Sequence, residues 1–471
     1  MRVLAIDIGS SSTRTALFNQ RGRVVPETAA QRKYSLRYTA DGGAELSPIE
    51  LQRAVRACLR ETLRSSRAKR QIAALGGSAF WHGLLGLDRK ARPLTPIFTW
   101  ADARSGADAA RLRQEFDERK IRAETGCMLR GSYWPAKLRW LRRTDRASFR
   151  NVHRWVSPAD WIFAQIFGTT GTSYSMASAT GLYDLRTKTW HERLCEECGV
   201  NPKQLDVIGE TPNRSTTREF RDVYIFNAIG DGAAGNLGSG ADDAGRVAIN
   251  IGTSAAVRTL DRSGKAVPFG LFRYVVDRRR FVIGGAVSNA GNLHEWCLRR
   301  LRLRITEAKA LSRSAAANDD LIILPFWVSE RAPTWPENLR GTILNLTQST
   351  DAAAISRAVT CATFYRLTDI LELLERKSGR AKQIIVSGGI LHSKAALPLL
   401  ADALGRDICV SAEAEASLRG AAVYVLEKLG TKPMPLPKPK LIRHDRAFAA
   451  KHRIRRERQR RLEIELSSFL F

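Results

Sequence analysis

The segment AIDIGSSSTRTALF, Ala5 to Phe18, places an acid inside an apolar run, then a glycine, a cluster of hydroxyls and a second apolar run. AINIGTSAAVRTL, Ala248 to Leu260, repeats the pattern with Asn250 where Asp7 stood. This duplication constrains the fold more than any other feature, because whatever the first copy builds the second builds again. Each copy reads as strand, tight turn, strand. Val3, Leu4, Ile6 and Ile8 belong to a strand buried on both faces, and Gly9 permits the turn. Thr15, Leu17 and Phe18 begin the return strand, and Asn19 to Gly22 supplies the next hairpin turn. The second copy has Val247, Ile249 and Ile251, then Gly252, Thr253 and Ser254, then Val257. A buried strand normally excludes a carboxylate, since stripping water from a charge is costly. Asp7 therefore calls for a function.

The chain has 471 residues, too many for one core. Two domains are expected, 1–238 and 239–430, followed by an appendage at 431–471. The appendage combines a Pro-rich linker, Lys432 to Lys440, with a dense basic run turning amphipathic, Lys451 to Leu466. It reads as an added, solvated helix. Between these landmarks helices and strands alternate. An amphipathic helix is expected over about 48–66, then the strand IAALGGSA. Later come a helix from Ala352 to Lys377 with Gly379 as its C-cap, the strand QIIVSGG, a helix at about 397–404, the strand DICVSA and the helix LRGAAVYVLEKLG. This alternation implies an α/β layer structure.

No apolar run reaches the roughly 18 residues of a membrane helix. Asp7 interrupts the N-terminal apolar run and no cleavage pattern follows, so a cytoplasmic protein without a membrane partner is expected. Seven scattered cysteines argue against a disulfide framework. Cys195 and Cys198 form a single C-x-x-C with no second pair, which reads as two thiols on a short helix rather than zinc ligands. The formal charge of +29 invites a polyanion, yet the basic residues are dispersed and aromatic content is only 8%. With no nucleic-acid signature, a preference for small anionic ligands is expected and a nucleic-acid partner is disfavoured.

A glycine turn followed by Ser and Thr aims several N–H groups and hydroxyls one way, making a concavity for phosphate. Two such hairpins can grip a nucleotide triphosphate tail. Asp7, at a strand end, can then hold the Mg²⁺ that neutralises the phosphates. A third piece, Val386 to Ser393, runs from a strand into Gly388 and Gly389, where backbone can approach an adenine ring.

These stretches, with WADAR (Trp100 to Arg104), KLRWL (Lys137 to Leu141), GDGAAGNLG (Gly230 to Gly238), GGAVSNAGNLHEW and ERAPTWPENLRG (Glu330 to Gly341), resemble the FGGY carbohydrate kinases. The resemblance spans about residues 2–430. It implies an α/β fold of two ribonuclease-H-like domains, of the actin/hexokinase type, flanking a nucleotide and sugar cleft. It also implies ATP and Mg²⁺ as cofactors, a sugar or sugar acid as the other partner, and allows a homodimer. Within the family the likeness is greatest to gluconokinases, through SMASATGLYDL (Ser175 to Leu185), TWADARS, DGAAGNLGSG and ERAPTWPENLRG. Phosphorylation of gluconate to 6-phosphogluconate is therefore expected. The alternatives are xylulose or another pentulose or polyol as substrate, and a non-catalytic nucleotide-binding or nucleic-acid-associated protein that keeps the fold.

The resemblance assigns Asp231 as the base that deprotonates the sugar hydroxyl. Small residues after it leave room for substrate, and a turn Asp favoured by local geometry is the plain alternative. It assigns Ser10, Ser11 and Ser12 to the phosphate cradle, Arg14 to phosphate charge, and Gly252 and Thr253 to the γ-phosphate. Gly291, Glu295, Gly388, Gly389 and Ser393 fall around the nucleotide's sugar and base. For the acceptor it points to Trp81, His82, Trp100, Asp102 and Asn289. The Trp81 indole, His82 and Asn289 are expected donors to a substrate carboxylate, while Asp102 is equally suited to a structural pair with Arg104. Trp134, where relatives carry a small residue or Pro, is expected to reshape the pocket rim. Gly232, where glycerol kinases have Gln, argues against glycerol.

Overall fold

A computed structural model describes all residues except 65–71, 303–304, 318–319, 337–338, 470–471 and the side chain of residue 317. It divides into two compact units. The first comprises Met1–Gly240, Phe272–Val282 and Glu415–Pro435; the second comprises Ala241–Leu271, Ile283–Ala414 and Leu436–Phe471.

The first unit opens with β1 (Arg2–Ile8) and β2 (Ser12–Asn19), an antiparallel hairpin, extended by β3 (Ala30–Lys33). Ser47 caps α1 (Pro48–Thr62) by accepting from the Glu50 N–H, and Pro48 sits in its first turn. The sequence-expected end of this helix, past residue 64, lies outside the described residues. β4 (Ile72–Ala79) pairs parallel to β1 and places Ser78 opposite Asp7. After α2 (Trp134–Thr144), the sheet is completed by β5 (Asn213–Arg214), β6 (Tyr224–Ile225) and β7 (Ile229–Gly230). The order is β5-β6-β4-β1-β2-β3, with β7 also against β4. β7 runs into α3 (Asp231–Ser239).

In the second unit β8 (Arg246–Ile251) and β9 (Ala255–Asp261) form the second hairpin. The hairpin of β10 (Phe272–Asp277) and β11 (Arg280–Val287) starts in the first unit, and β11 ends in the second. α4 (Gly291–Arg300), the long α5 (Ala352–Ser378), β12 (Gln383–Ser387), α6 (Ala396–Leu404) and β13 (Ile408–Val410) follow. β12 pairs parallel to β8 and puts Ser387 opposite Asn250, the register that Ser78 and Asp7 keep in the first unit. The repeat is thus one of topology as well as sequence. The core gathers Val247, Ile249 and Val257 of this hairpin under Phe364, Leu367, Leu371 and Leu374 of α5, the apolar face anticipated from sequence.

Two features depart from the expected boundaries. α7 (Ala416–Lys428), expected in the second domain, belongs to the first unit. There a Cβ on Gly420 would lie 1.8 Å from the Ala234 carbonyl oxygen, and one on Gly238 1.7 Å from that of Ala416. Only bare glycine lets α7 and α3 approach so closely. The segment expected as a solvated appendage is instead built into the second unit. β14 (Lys440–Ile442) adds to the sheet edge beside β13, and α8 (Arg446–Phe469) buries His452, Arg456, Gln459 and Glu463. Its basic residues meet carboxylates: Arg456 and Arg460 both pair with Glu372, and Arg460 also binds Asp369. Arg455 is half-buried and donates to Ala316 O, Arg458 lies 3.7 Å from Asp320, and Arg446, Lys451, Arg453 and Arg461 are exposed. No helix among the described residues is long and apolar enough to cross a membrane. Cys195 and Cys198 lie buried in an apolar cluster, and burial pushes both thiols up.

Candidate active site

The first-unit hairpin turn is held from outside. Gly9 N–H donates to Ser12 O (2.9 Å), Tyr34 N–H to Ser11 O (3.0 Å) and the Tyr34 hydroxyl to Gly9 O (2.6 Å). Ser11 is exposed at the tip, Ser10 is half-buried and Ser12 is buried. Behind the turn, Asp7 is 5% exposed. It accepts from Ser78 Oγ (2.7 Å), and Arg14 NH1 stands 3.4 Å away. Arg14 Nε also pairs with Glu415 (3.1 Å). Burial pushes the Asp7 carboxyl up to about 6; Ser78 and Arg14 pull it down, and the charges of Asp231 and Glu415 push it further up.

Asp231 is the first residue of α3, at the end of β7. One of its oxygens accepts from the Gly232 N–H (2.7 Å), and Ser417 Oγ of α7 donates to its carbonyl (3.3 Å). The unit therefore brings Asp7 and Asp231 into one electrostatic field. Two carboxylates and a serine hydroxyl are hard oxygen donors, and at Asp7 burial outweighs the stabilising Ser78 and Arg14, so its charge is incompletely compensated. This suits Mg²⁺ held through Asp7, with phosphate and water oxygens completing its shell. Among the described residues no group of three or more His, Cys, Asp or Glu makes a full protein cage.

The turn before Asp231 rests on Trp81. A Cβ on Gly230 would fall 1.7 Å from the Trp81 indole nitrogen, which donates to Ser175 O (3.2 Å). Ser175 Oγ in turn accepts from Gly230 N–H (3.0 Å). Trp81 is thus a floor under the Asp231 turn, and its indole N–H is not the expected carboxylate donor. His82 has φ +66° and its Nδ1 lies 2.7 Å from Ala179 O. A carbonyl only accepts, so Nδ1 carries the proton, and Nε2 bears a lone pair unless the ring is protonated. Its ring packs on Tyr133 and Tyr274, whose hydroxyls meet at 2.7 Å.

Lys137, buried on α2, ties the segments of His82 and Thr99 together by donating to His82 O (2.8 Å) and Thr99 O (2.7 Å). Burial pulls its ammonium down to about 7. Even the neutral amine keeps two N–H donors, enough for both carbonyls. Trp100 is half-buried on the same stretch. Asp102 is fully engaged with Arg104 and the Ala44 N–H, so it fastens the loop instead of reaching substrate. Trp134 is buried, with its indole on Gly83 O, and belongs to the core rather than a rim.

In the second unit Asn250 Nδ2 donates to Ser387 Oγ (3.0 Å), and Asn250 is exposed where Asp7 is buried. Gly291 N–H donates to Gly252 O (3.0 Å) and Asn292 N–H to Thr253 O (3.1 Å), seating the start of α4 on the hairpin turn. Gly388 has φ +91°, and a Cβ there would meet Ile251 O at 2.5 Å. By contrast, a Cβ on Gly252 or Gly389 would meet nothing closer than 3.8 Å, so packing does not demand glycine there. Ser393 Oγ donates to Glu307 (2.8 Å), which lies 3.6 Å from His294 of α4. Glu295 is exposed and pairs with Arg299. Asn289 is buried, its amide committed to Val328 and Glu330 (2.9–3.0 Å), so it is a framework residue and not the expected substrate donor. Sequence reasoning missed Ser78, Tyr34, Glu415, Lys137, Glu307 and His294. Only Ser78, in the strand IAALGGSA, Lys137, inside KLRWL, and His294, inside GGAVSNAGNLHEW, lay in stretches already marked.

Residues 2–230 match the N-terminal domain of the FGGY family of carbohydrate kinases, and residues 247–426 its C-terminal domain. The chain belongs to this family. It is an ATP-dependent sugar kinase. A gluconokinase of Bacillus subtilis (strain 168) is 28% identical over 456 residues, 91% of this chain and 88% of that protein. Solved structures of a xylulose kinase and a gluconate kinase, both from Lactobacillus acidophilus, superpose with TM-scores of 0.87 and 0.85. Each is 24% identical and covers 99% of this chain and 98% of its own, which shows the two-domain kinase fold.

The Asp7 environment gives a pH expectation. Only the carboxylate can hold a cation, and its proton leaves near pH 6 in the unliganded protein. Hence kcat/KM for ATP is expected to rise with pH through about 6, since that ratio reports the free enzyme. A flat profile from about pH 5 to 7.5 at saturating acceptor would contradict this.

Proposed function

We propose that this kinase phosphorylates gluconate at its terminal hydroxyl. Asp231 takes the hydroxyl proton as the oxygen attacks the γ-phosphorus; the bond to the β–γ bridging oxygen breaks and ADP leaves. Asp231 suits the base because its turn is rigid: Trp81 lies beneath Gly230, Ser175 holds the Gly230 N–H, and Gly232 orients one carboxylate oxygen. Arg14 and the Ser10–Ser12 turn supply donors to phosphate oxygens from the first unit. In the second unit, Gly252, Thr253 and the start of α4 carry donors of the same kind. Asp7 would hold Mg²⁺, which supplies charge neutralisation of the phosphates.

The likeness to a gluconokinase over 91% of the chain carries the choice of substrate. This reading keeps His82, whose ring packs on Tyr133 and Tyr274, as the contact for the substrate carboxylate. The second reading, a neutral ketose such as xylulose, rests on the likeness to xylulose kinases. Comparing gluconate, sorbitol and xylulose as acceptors decides between them. Gluconate is expected to exceed sorbitol in kcat/KM by about 10–100-fold, because sorbitol leaves the donors for the carboxylate unpaired. Equal turnover of sorbitol or xylulose would remove the sugar-acid reading and leave the sugar kinase standing.

A further inference from the structure

The basic C-terminal helix α8 is absorbed by nothing in the reaction above, yet it reaches the nucleotide side of the second unit through buried polar contacts. Glu463 of α8 accepts from Arg366 NH1 (2.5 Å) and from the Thr334 hydroxyl. Arg366, on α5, is 1% exposed on its side chain and also donates to Ala332 O (2.9 Å) and Thr334 Oγ1 (3.1 Å). Three of these contacts grip the segment 330–335 from the α8 side.

The opposite side of that segment grips the strand leading into α4. Glu330 is buried and accepts from the Ser288 N–H (2.5 Å) and from Asn289 Nδ2 (3.0 Å). Ala332 N–H donates to Ala286 O (3.0 Å). Arg331 donates to Val287 O (3.0 Å) and Ser288 Oγ (3.1 Å). Two residues past Asn289, α4 begins and seats its first N–H groups on the Gly252–Thr253 turn. Every contact in this chain lies within the second unit.

We infer that Glu463 of α8 is a positioning residue for the nucleotide site, acting through Arg366 and Thr334 on the 330–335 segment that fixes the entry to α4. This rests on the kinase reading for the placement of nucleotide against α4 and the Gly252–Thr253 turn. It gives the tail a task in the second unit that its basic composition does not suggest. The residues that matter in it are an acid and its buried arginine, while the exposed basic residues do not take part. Buried ion pairs contribute little net stability when both partners are replaced by apolar groups, so the double replacement separates positioning from folding.

The test uses the full chain and two variants. Arg366→Met/Glu463→Leu removes both charges, and Thr334→Val leaves the ion pair and removes the hydroxyl between helix and segment. ADP affinity is read by titration calorimetry, which needs no acceptor, and KM is read separately for ATP and for the sugar. A loss of about threefold or more in ADP affinity and ATP KM, with sugar KM unchanged, is expected in both variants. If the double variant fails to fold, Thr334→Val decides alone. Unchanged ADP affinity in the folded variants, or equal rises in both KM values, would overturn the inference. Failure of the unmodified chain to bind ADP would instead sink the kinase reading and the inference with it.

Discussion

Asp231→Asn is expected to lower kcat by about 10²–10⁴-fold or more while leaving ADP affinity as it was. The amide keeps the shape of the side chain, and its oxygen still accepts from Gly232 N–H as the carboxylate does (2.7 Å). What it loses is the capacity to take the hydroxyl proton. The Trp81 floor and the Ser175 contact with Gly230 do not depend on the charge, so the turn should stay in place. Steady-state kinetics with a calorimetric ADP titration test both halves, and a near-normal kcat would refute the assignment. A cross-check comes from Asp7. The Asp231 charge helps to push the Asp7 carboxyl up, so in this variant the Asp7-dependent rise of ADP binding with pH, measured with Mg²⁺ present, should move to lower pH.

Asp7→Asn should abolish most activity without weakening the fold. The substitution turns the first copy of the repeat into the second, where Asn250 already meets Ser387 in the same register. An asparagine can keep the Ser78 hydrogen bond, but it offers a cation no charge. A loss of about 10²-fold or more in kcat/KM is expected. Stability should move the other way. The folded Asp7 carboxyl holds its proton up to about 6, above its ordinary value of 3.8. Its ionised form is therefore disfavoured in the fold, at a cost of about 2–3 kcal/mol above pH 6 that fades as pH falls toward 4. Removing the charge should raise Tm at pH 7.5 and leave it nearly unchanged at pH 4. Asn250→Ala should cost far less activity, because Asn250 is exposed and carries no charge. Equal activity losses at the two positions, or a lower Tm for Asp7→Asn at neutral pH, would contradict this account.

The sequence by itself determined the architecture, through the duplicated hairpin. Strand periodicity follows from local steric and burial rules, and the glycine and hydroxyl turn residues are local too. The long helix α5 with its Gly379 cap, the strands β4 and β12 and the family membership were legible for the same reason. The acid in the first strand pointed to Asp7, since an unexplained buried charge is visible in a linear string.

Only the tertiary structure decided what each polar group is committed to. Trp81, Asn289 and Asp102 have the chemistry of ligand-binding side chains. Their hydrogen-bonding capacity is taken up by Ser175, by Val328 and Glu330, and by Arg104 and Ala44, of which only Arg104, two residues from Asp102, could be foreseen from spacing. Membership of the units was hidden for a related reason. α7 joins the first unit because two glycines let it press on α3, a contact across a long stretch of sequence. The tail was misread because counting its charges gives a solvated helix. Its fate turns on Asp369, Glu372 and Arg366 on the facing helix, which bind Arg456, Arg460 and Glu463 at the spacing that puts them on one side of α8. Local rules specify which elements form; the matching of one buried polar group to another is a property of distant residues brought together, and it decides which of them are left for chemistry.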